Sequence, residues 1–425
     1  MRASIDRRAG PTALSSIFFT WLALAGGAQA TPLSLVEAQR LAVERDAGRE
    51  ALLGESAAMR DMAVAAGQLP DPEGRFGAVN VPVDSWDLDR EEMTMLEVGV
   101  MQRFPAGRSR QYARARYESD AFGAEAESLE RARRVRFEVE RTWRELDYLD
   151  RALALAAEEA RWIATLAGGA EVAYAAGEGE SLELLDARLM AIEVEEKRLG
   201  MQRDRDERLA ELARWVGEGA RGEREAAAAA AGRLEPVETL VERLQANPAL
   251  QSLGHMQDAA LRQADLAREM YKPAFGFDVA YGFRDGNGMD GESRSDMLTA
   301  MLTFDIPLFT KNRQDREVDA ARSRARAADS RRTDMVRELE ARLRAAHARA
   351  GRLAEILSLY ETQSTRLTGV SVEAALAAYR SGDGSLDDVI AMQRRVIDLG
   401  EREARARADY ALARAEIEYL AGDQP

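Results

Sequence analysis

Cysteine is absent from this 425-residue chain, and histidine occurs only as His255 and His347. Without thiols the chain can form no disulfide, no cysteine-ligated metal site and no thiol nucleophile, and it lacks an N-terminal cysteine for lipidation. Two imidazoles leave little for a histidine-based metal centre. After about residue 30, no stretch reaches the roughly 18 apolar residues of a transmembrane helix.

Basic residues are outnumbered, because 59 Lys and Arg stand against 74 Asp and Glu, for a formal net charge of −15. This acidic balance argues against a nucleic-acid partner, which requires a basic surface. No arrangement of nucleophile and base is visible. The Gly177-Glu178-Gly179 segment differs from a phosphate loop, since no strand precedes it and no lysine follows it. We therefore expect no enzyme activity and no cofactor.

Residues 1–30 have the three parts of a secretory signal peptide. The basic start contains Arg2, Arg7 and Arg8. Residues 14–24 are mostly apolar, and Ala28-Gln29-Ala30 has the pattern of a cleavage site. The alternative is a buried first helix. We expect an exported protein of a Gram-negative envelope without a lipid anchor.

The rest of the chain is an internal duplication with an offset of about 205 residues. Matching pairs are Tyr174 with Tyr379, Gly177 with Gly382, Glu183 with Asp388 and, at a slightly smaller offset, Phe104-Pro105 with Ile306-Pro307. We therefore divide the chain into a signal peptide (1–30), a first repeat (31–218), a connector rich in Ala, Gly and Glu (219–234) and a second repeat (235–425).

Each repeat has the same predicted order: a helix, two strands, a very long helix, a glycine-containing turn and another helix. The first helices cover about residues 35–66 and 237–270, and the long helix of the second repeat about 313–376. Their heptad positions are apolar, including Val135, Val139 and Leu146 in the first repeat and Leu339, Leu343 and Ala346 in the second. This spacing predicts coiled-coil packing, and the fold class is mainly α with a small β part.

Four segments alternate apolar and polar residues: about 75–83, 93–104, 274–284 and 297–306. Their length of about ten residues suits tilted transmembrane strands, although a half-buried soluble sheet would give the same alternation. Four strands cannot close a barrel, and an open sheet edge in lipid would leave backbone groups unpaired. Three copies with twelve strands would satisfy this constraint.

This organisation resembles the TolC-like outer-membrane factor (outer membrane efflux protein) family. The resemblance covers nearly all of the mature chain and rests on the duplication and on these motifs: Phe104-Pro105, Asn247-Pro248-Ala249-Leu250, Ile306-Pro307-Leu308-Phe309, Ala173–Gly177 and Ala378–Gly382. It implies a homotrimer with a 12-strand β-barrel in the outer membrane and a long α-helical barrel in the periplasm. Leu69-Pro70-Asp71-Pro72 and Met93-Thr94-Met95 are similar to the heavy-metal (copper, silver, cation) branch.

The resemblance also implies a function, that of a passive exit duct in a tripartite efflux system. Solute would arrive from an inner-membrane pump, of the RND type, through a periplasmic adaptor (membrane fusion) protein. One alternative is an outer-membrane duct for type I secretion. Another is a periplasmic coiled-coil adaptor or scaffold, which would have a single hairpin between β-rich domains rather than a tandem duplication.

The residues around the glycine turns carry the implied periplasmic gate and docking sites. The gate residues by resemblance are Glu183, Tyr379 and Asp388, and the adaptor-docking tips are Gly177, Glu178, Gly179, Gly382, Asp383 and Gly384. Three copies of Asp388 around an axis would focus a negative potential, although an acid there also stabilises a helix N-terminus. Gly384 and Ala391 depart from the family pattern of an arginine and a second acid, so the gate network is expected to differ.

Three methionines lie opposite the apolar residues of the strands. They are Met95, Met101 and Met301. Thioethers are soft ligands suited to Cu(I) and Ag(I), so we expect these side chains to offer weak metal contacts on an exit path. The alternative is that they only fill space near the barrel mouth.

Overall fold

The computed structural model describes residues 32–177, 181–228, 232–289 and 291–422. The predicted signal peptide lies outside these ranges. The predicted fold class is confirmed, because long helices dominate and the strands form a single four-stranded sheet. Within the described ranges, no helix combines the length and the apolar character needed to cross a bilayer.

The two repeats have the same order of elements. The first contains α1 (Leu35–Glu44), α2 (Ala47–Gly67), β1 (Glu73–Val79), β2 (Met95–Phe104), α3 (Ser109–Ala175) and α4 (Ser181–Val216). The second contains α5 (Val237–Arg243), α6 (Pro248–Glu269), β3 (Phe275–Phe283), β4 (Met297–Phe304), α7 (Gln314–Leu359), α8 (Thr365–Ser381) and α9 (Leu386–Ala421). With 67 residues, α3 is about 100 Å long at 1.5 Å per residue.

Each repeat begins with two helices, so the prediction of one continuous helix over 35–66 and over 237–270 was wrong. The carboxylate of Asp46 accepts a hydrogen bond from the Arg49 amide at 2.7 Å and starts α2. In the second repeat the side chain of Asn247 accepts from the Ala249 amide at 2.9 Å, and Pro248 has no N–H for a continuous helix. A short polar side chain that satisfies a free amide ends one helix and starts the next.

The long helix of the second repeat is also interrupted, where the sequence predicted continuity over 313–376. A π-helical turn, Tyr360–Ser364, separates α7 from α8. A π turn holds one extra residue, so it breaks the regular repeat that the sequence pattern extends across this region.

The sheet has the order β1-β2-β3-β4, and all its pairings are antiparallel. The central pairing of β2 with β3 joins the two repeats. The first strand ends at Val79, before the predicted residue 83, because Asn80 adopts a left-handed backbone with φ of 57°. Its side chain then donates to the Met93 carbonyl at 3.2 Å, which closes the connection to β2.

Each repeat has its own apolar core, where its first helix packs on its two long helices. The first core contains Ala38, Ala42, Val135, Val139, Trp143, Leu146, Leu212 and Val216. The second contains Leu240, Leu244, Leu250, Leu339, Leu343, Ala346, Ala350, Ile417 and Leu420. The predicted heptad residues are therefore buried, and the two cores occupy equivalent positions of the duplication.

Side chains from elsewhere in the chain cap the C-terminal ends of α4 and α9, the last helix of each repeat. The Arg45 guanidinium donates to the Val216 carbonyl at 2.7 Å, and the Asn247 amide donates to the Leu420 carbonyl at 2.8 Å. Arg133 of α3 is buried and donates to the carbonyls of Tyr419 and Gly422 at 2.8 and 2.9 Å. Since a helix C-terminus has carbonyls without intrahelical partners, Arg133 ties the second repeat to the first.

Replacement of Arg133 by alanine tests this link. We expect Arg133→Ala to destabilise the folded protein by about 2–4 kcal/mol, because buried carbonyls lose a charged donor. The measurement is the midpoint of thermal unfolding in detergent. The control is Arg352→Ala, which removes an exposed arginine whose ion pair with Glu355 spans one helical turn. Equal midpoints for the two variants would contradict a structural role for Arg133.

Candidate functional site

One face of the sheet is apolar and exposed, and we call it the apolar face. It carries Phe76, Leu96, Val98, Val100, Phe104, Phe275, Phe277, Val279, Tyr281, Phe283, Leu298, Leu302 and Phe304. All of these except Leu96 are more than a third exposed. A contiguous apolar surface of this kind marks contact with lipid or with another protein.

The opposite side of the sheet, the polar face, carries an ion-pair network instead. The Arg75 guanidinium contacts Glu97 at 3.0 Å and Asp278 at 2.8 Å, so it spans β1, β2 and β3. The side chain of Asp278 is only 5% exposed. Further along the same face, Arg103 pairs with Glu73 at 3.2 Å. In a soluble protein, the apolar face of a sheet is usually buried and the charged face is exposed to water. Here the apolar, aromatic-rich face is the exposed one.

The two outer strands leave the sheet with open edges. One edge of β1 has no partner within the described residues, and the same holds for β4, all of whose residues are exposed. The strands alternate in direction from β1 to β4. A β1 strand of a second copy beside β4 would therefore continue the antiparallel order.

The methionines predicted as metal contacts all lie on the polar face, but their surroundings differ. Met101 and Met301 are paired with Asp278 from its two sides. Met95 is buried and lies over Gly282, whose Cβ, if it had one, would be 2.5 Å from the Met95 sulfur. Met95 thus fills the space that the glycine leaves, whereas Met101 and Met301 occupy the register positions on either side of Asp278.

The far ends of the long helices form two hairpins with glycine turns. Gly177 and Gly382 have φ of 76° and 82°, a left-handed backbone that favours glycine. The carboxylate of Asp383 accepts from the Ser381 hydroxyl at 3.1 Å. The predicted tip residues Glu178 and Gly179 lie outside the described residues.

Gly384 completes the second turn by a close approach to α8. Its amide donates to the Ala378 carbonyl at 3.1 Å. A Cβ at this position would lie 3.0 Å from that of Ala378. The glycine therefore allows a tighter turn than a larger residue would, where the family pattern has an arginine.

The three predicted gate residues are exposed and have no contact with one another in these helices. Asp388 instead forms a capping box, in which its carboxylate accepts from the Ser385 amide and its own amide donates to the Ser385 hydroxyl at 3.1 Å. The Ser385 hydroxyl also donates to the Asp388 carboxylate at 2.7 Å, and this bond, together with the bond from the Ser385 amide, lowers the pKa of Asp388. Glu183 lies in the first turn of α4 and Tyr379 near the end of α8. The structure thus gives Asp388 the capping role left open by the sequence.

A different charge network connects the two repeats further from the tips, and the sequence analysis missed it. Glu159 of α3 is buried and lies 3.5 Å from Lys197 of α4 and 3.9 Å from Arg394 of α9. Arg394 also contacts Glu193 at 3.1 Å, and Lys197 also pairs with Glu401. Burial opposes the charge of Lys197, but its acidic partners outweigh it and raise the pKa.

Comparisons with known proteins identify this architecture. Residues 239–423, within the second repeat, match the family model described as outer membrane efflux protein. A comparison with curated protein sequences finds no significant match. Over the second repeat, this match supports the resemblance to TolC-like outer-membrane factors.

Solved structures share the fold over nearly the whole chain. The outer membrane protein VceC from Vibrio cholerae is 16% identical, with a TM-score of 0.76 over 91% of this chain and 96% of its own. The CmeC outer membrane channel from Campylobacter jejuni is 13% identical, with a TM-score of 0.75 over 91% of this chain and 85% of its own. The open state of the MtrE outer membrane channel from Neisseria gonorrhoeae is 15% identical, with a TM-score of 0.72 over 91% of this chain and 88% of its own.

The helices of this protein have two exposed apolar stripes. In the helical part the order of packing is α4, α3, α9 and α8, so α4 and α8 are the outer helices. The α4 stripe consists of Leu182, Leu185, Leu189, Ile192 and Leu199, each more than half exposed, at spacings of three, four, three and seven residues. The α8 stripe consists of Leu367, Val370, Ala374 and Ala377. Such stripes are typical of helices that pack against a further helix.

The capping box at the start of α9 can be tested independently of the predicted gate role of Asp388. We expect Ser385→Ala to raise amide hydrogen exchange in the first turn of α9 about fivefold, as for the loss of a typical N-cap. The control is Ser381→Ala, whose hydroxyl donates to the Ala378 carbonyl at the end of α8. Unchanged exchange in Ser385→Ala would contradict the capping role and favour Asp388 as a free acid of the aperture.

Proposed function

We propose that this protein is an outer-membrane factor, the passive exit duct of a tripartite efflux system. The observation that carries the proposal is the four-stranded sheet, with its exposed apolar face and its charged polar face, attached to helices about 100 Å long. Lipid would contact the apolar face, and water and solute would contact the polar face. A charged interior and an apolar exterior are typical of outer-membrane barrels.

The open edges of β1 and β4 require a second copy of the chain in lipid. Water is absent from the bilayer core, so unpaired N–H and C=O groups would cost several kcal/mol each. Four strands are too few to close on themselves, whereas three copies supply twelve. The α4 and α8 stripes lie on the two outer helices of one copy, so the same closure would bury them. We therefore propose a homotrimer in the cell outer membrane.

The hairpin tips are the proposed contact for the periplasmic adaptor and the inner-membrane pump of the RND type. The glycine turn at Gly177 follows α3, and the one at Gly382 follows α7 and α8, so both lie at the ends of the helices furthest from the sheet. Energy would come from the pump, and we propose neither a chemical step nor a cofactor in the duct. A type I secretion system would use the same architecture with a different pump.

The alternative of a periplasmic adaptor or scaffold lacks the support that the duct has. An adaptor would have one helical hairpin, whereas this chain has two, joined by a single sheet across β2 and β3. The apolar face would also have no partner in a soluble scaffold. We therefore favour the duct.

Disruption of the α4 stripe tests the trimer. We expect Leu189→Asp to abolish trimers in outer-membrane extracts, because each interface would bury an unpaired carboxylate at a cost of roughly 2–5 kcal/mol. The measurement is the mass of the detergent-extracted complex. The matched control is Arg188→Asp in the neighbouring position, which leaves the stripe intact. A trimer that survives Leu189→Asp, or a wild-type protein recovered as a periplasmic monomer, would contradict the proposed assembly.

We further propose that the solutes of this duct include soft metal cations such as Cu(I) and Ag(I). The supporting observation is the row Met101, Asp278 and Met301 across three strands of the polar face. The thioethers of Met101 and Met301 are soft donors that suit weak, transient contacts with such a cation, while the carboxylate between them is held by Arg75. Weak contacts are needed because a tight site would block flow.

The arrangement of the methionines supplies its own control. We expect Met101→Leu with Met301→Leu to lower copper and silver tolerance of cells severalfold at normal trimer levels, because the volume is kept and the sulfur is lost. Met95→Leu should leave tolerance unchanged, since this side chain packs over Gly282. Unchanged tolerance in the double variant would reduce all three methionines to a packing role.

A further inference from the structure

The Arg75 network on the polar face is held in a fixed position by the sheet. Arg75, Glu97 and Asp278 come from three adjacent strands and from both repeats. Gly99, which is paired with Arg75 on one side and with Ala280 on the other, leaves room above the sheet. A Cβ at Gly99 would lie 2.9 Å from the Arg75 Nε, so the guanidinium lies flat over the glycine.

The two acids are largely covered, whereas the arginine remains accessible. The side chains of Glu97 and Asp278 are 18% and 5% exposed, and that of Arg75 is 46% exposed. One oxygen of Asp278, Oδ2, is buried and accepts no hydrogen bond within the described residues. The charge of Asp278 is therefore balanced mainly by Arg75, which is the group that a passing ion would meet.

The balance of charge on the polar face depends on this one side chain. The face carries the guanidinium groups of Arg75 and Arg103 against the carboxylates of Glu73, Glu97 and Asp278. Each copy thus has one negative charge in excess, and a ring of three copies has three. Loss of Arg75 would double this excess in a confined, partly desolvated channel, where fixed charge acts strongly on mobile ions.

We propose that Arg75 sets the ion selectivity of the barrel section of the duct by masking Glu97 and Asp278. This inference rests on the proposed duct, in which the polar face lines the solute path. With Arg75 in place the wall is only weakly cation-selective. Without it, two acids on each copy face the path, and cations are favoured over anions.

The test is the reversal potential of single channels of the purified full-length trimer in planar bilayers under a KCl gradient. We expect Arg75→Gln to raise the ratio of potassium to chloride permeability at least about twofold at roughly 0.1 M salt. We expect the increase to shrink near 1 M, where the Debye length is about 3 Å. Glu97→Gln should lower the ratio, so a folding defect in one variant still leaves a test of opposite sign.

Two matched variants distinguish an effect of the Arg75 charge on ion selectivity from a structural effect of the substitution. Arg75→Lys keeps the charge, and Arg75→Gln with Glu97→Gln restores the balance, so both should have the wild-type ratio. A wild-type ratio in both Arg75→Gln and Glu97→Gln would overturn the role of Arg75 while the duct itself stands. Absence of conductance in every variant and in the wild type would instead contradict the proposed duct.

Discussion

In the proposed outer-membrane location, the requirement that every backbone N–H and C=O group in a bilayer be paired governs this structure. One chain supplies four strands, with open edges on β1 and β4, so it cannot satisfy that requirement alone. Closure by further copies explains why the sheet is apolar outside and charged inside. It also explains why the outer helices α4 and α8 carry exposed apolar stripes on the same two sides of the copy.

The duplication supplies a quasi-symmetric unit, and its deviations from symmetry have physical causes. Both repeats bury equivalent cores and break their first helix at a short polar side chain, Asp46 or Asn247. Within the described residues, a π turn occurs in the second repeat alone, where it interrupts the long helix. The Glu159 network then joins α3, α4 and α9 across the repeats, between the cores and the hairpin tips.

Much of the fold was predictable because its signals are local and repeated. Alternation predicted all four strands, and heptads predicted the buried positions of α3 and α7. The helix breaks were missed because one side chain, such as Asp46, outweighs the average helix propensity around it. The Arg75 network was missed because it joins residues 75, 97 and 278, and no local pattern reveals the strand register. Glu183, Tyr379 and Asp388 stay predictions as gate residues, since one copy brings none of them together.

The most direct test of the account is whether β1 and β4 of different copies are neighbours in the outer membrane. The natural chain has no cysteine, so Ala78→Cys with Leu298→Cys places the only thiols on the two outer strands. Within one copy, two strands separate these positions, roughly 14 Å at 4.8 Å per strand. A thiol cross-linker of about 8 Å, too short for that span, should therefore yield covalent trimers in intact outer membranes, and exclusively monomeric product would contradict the closed barrel.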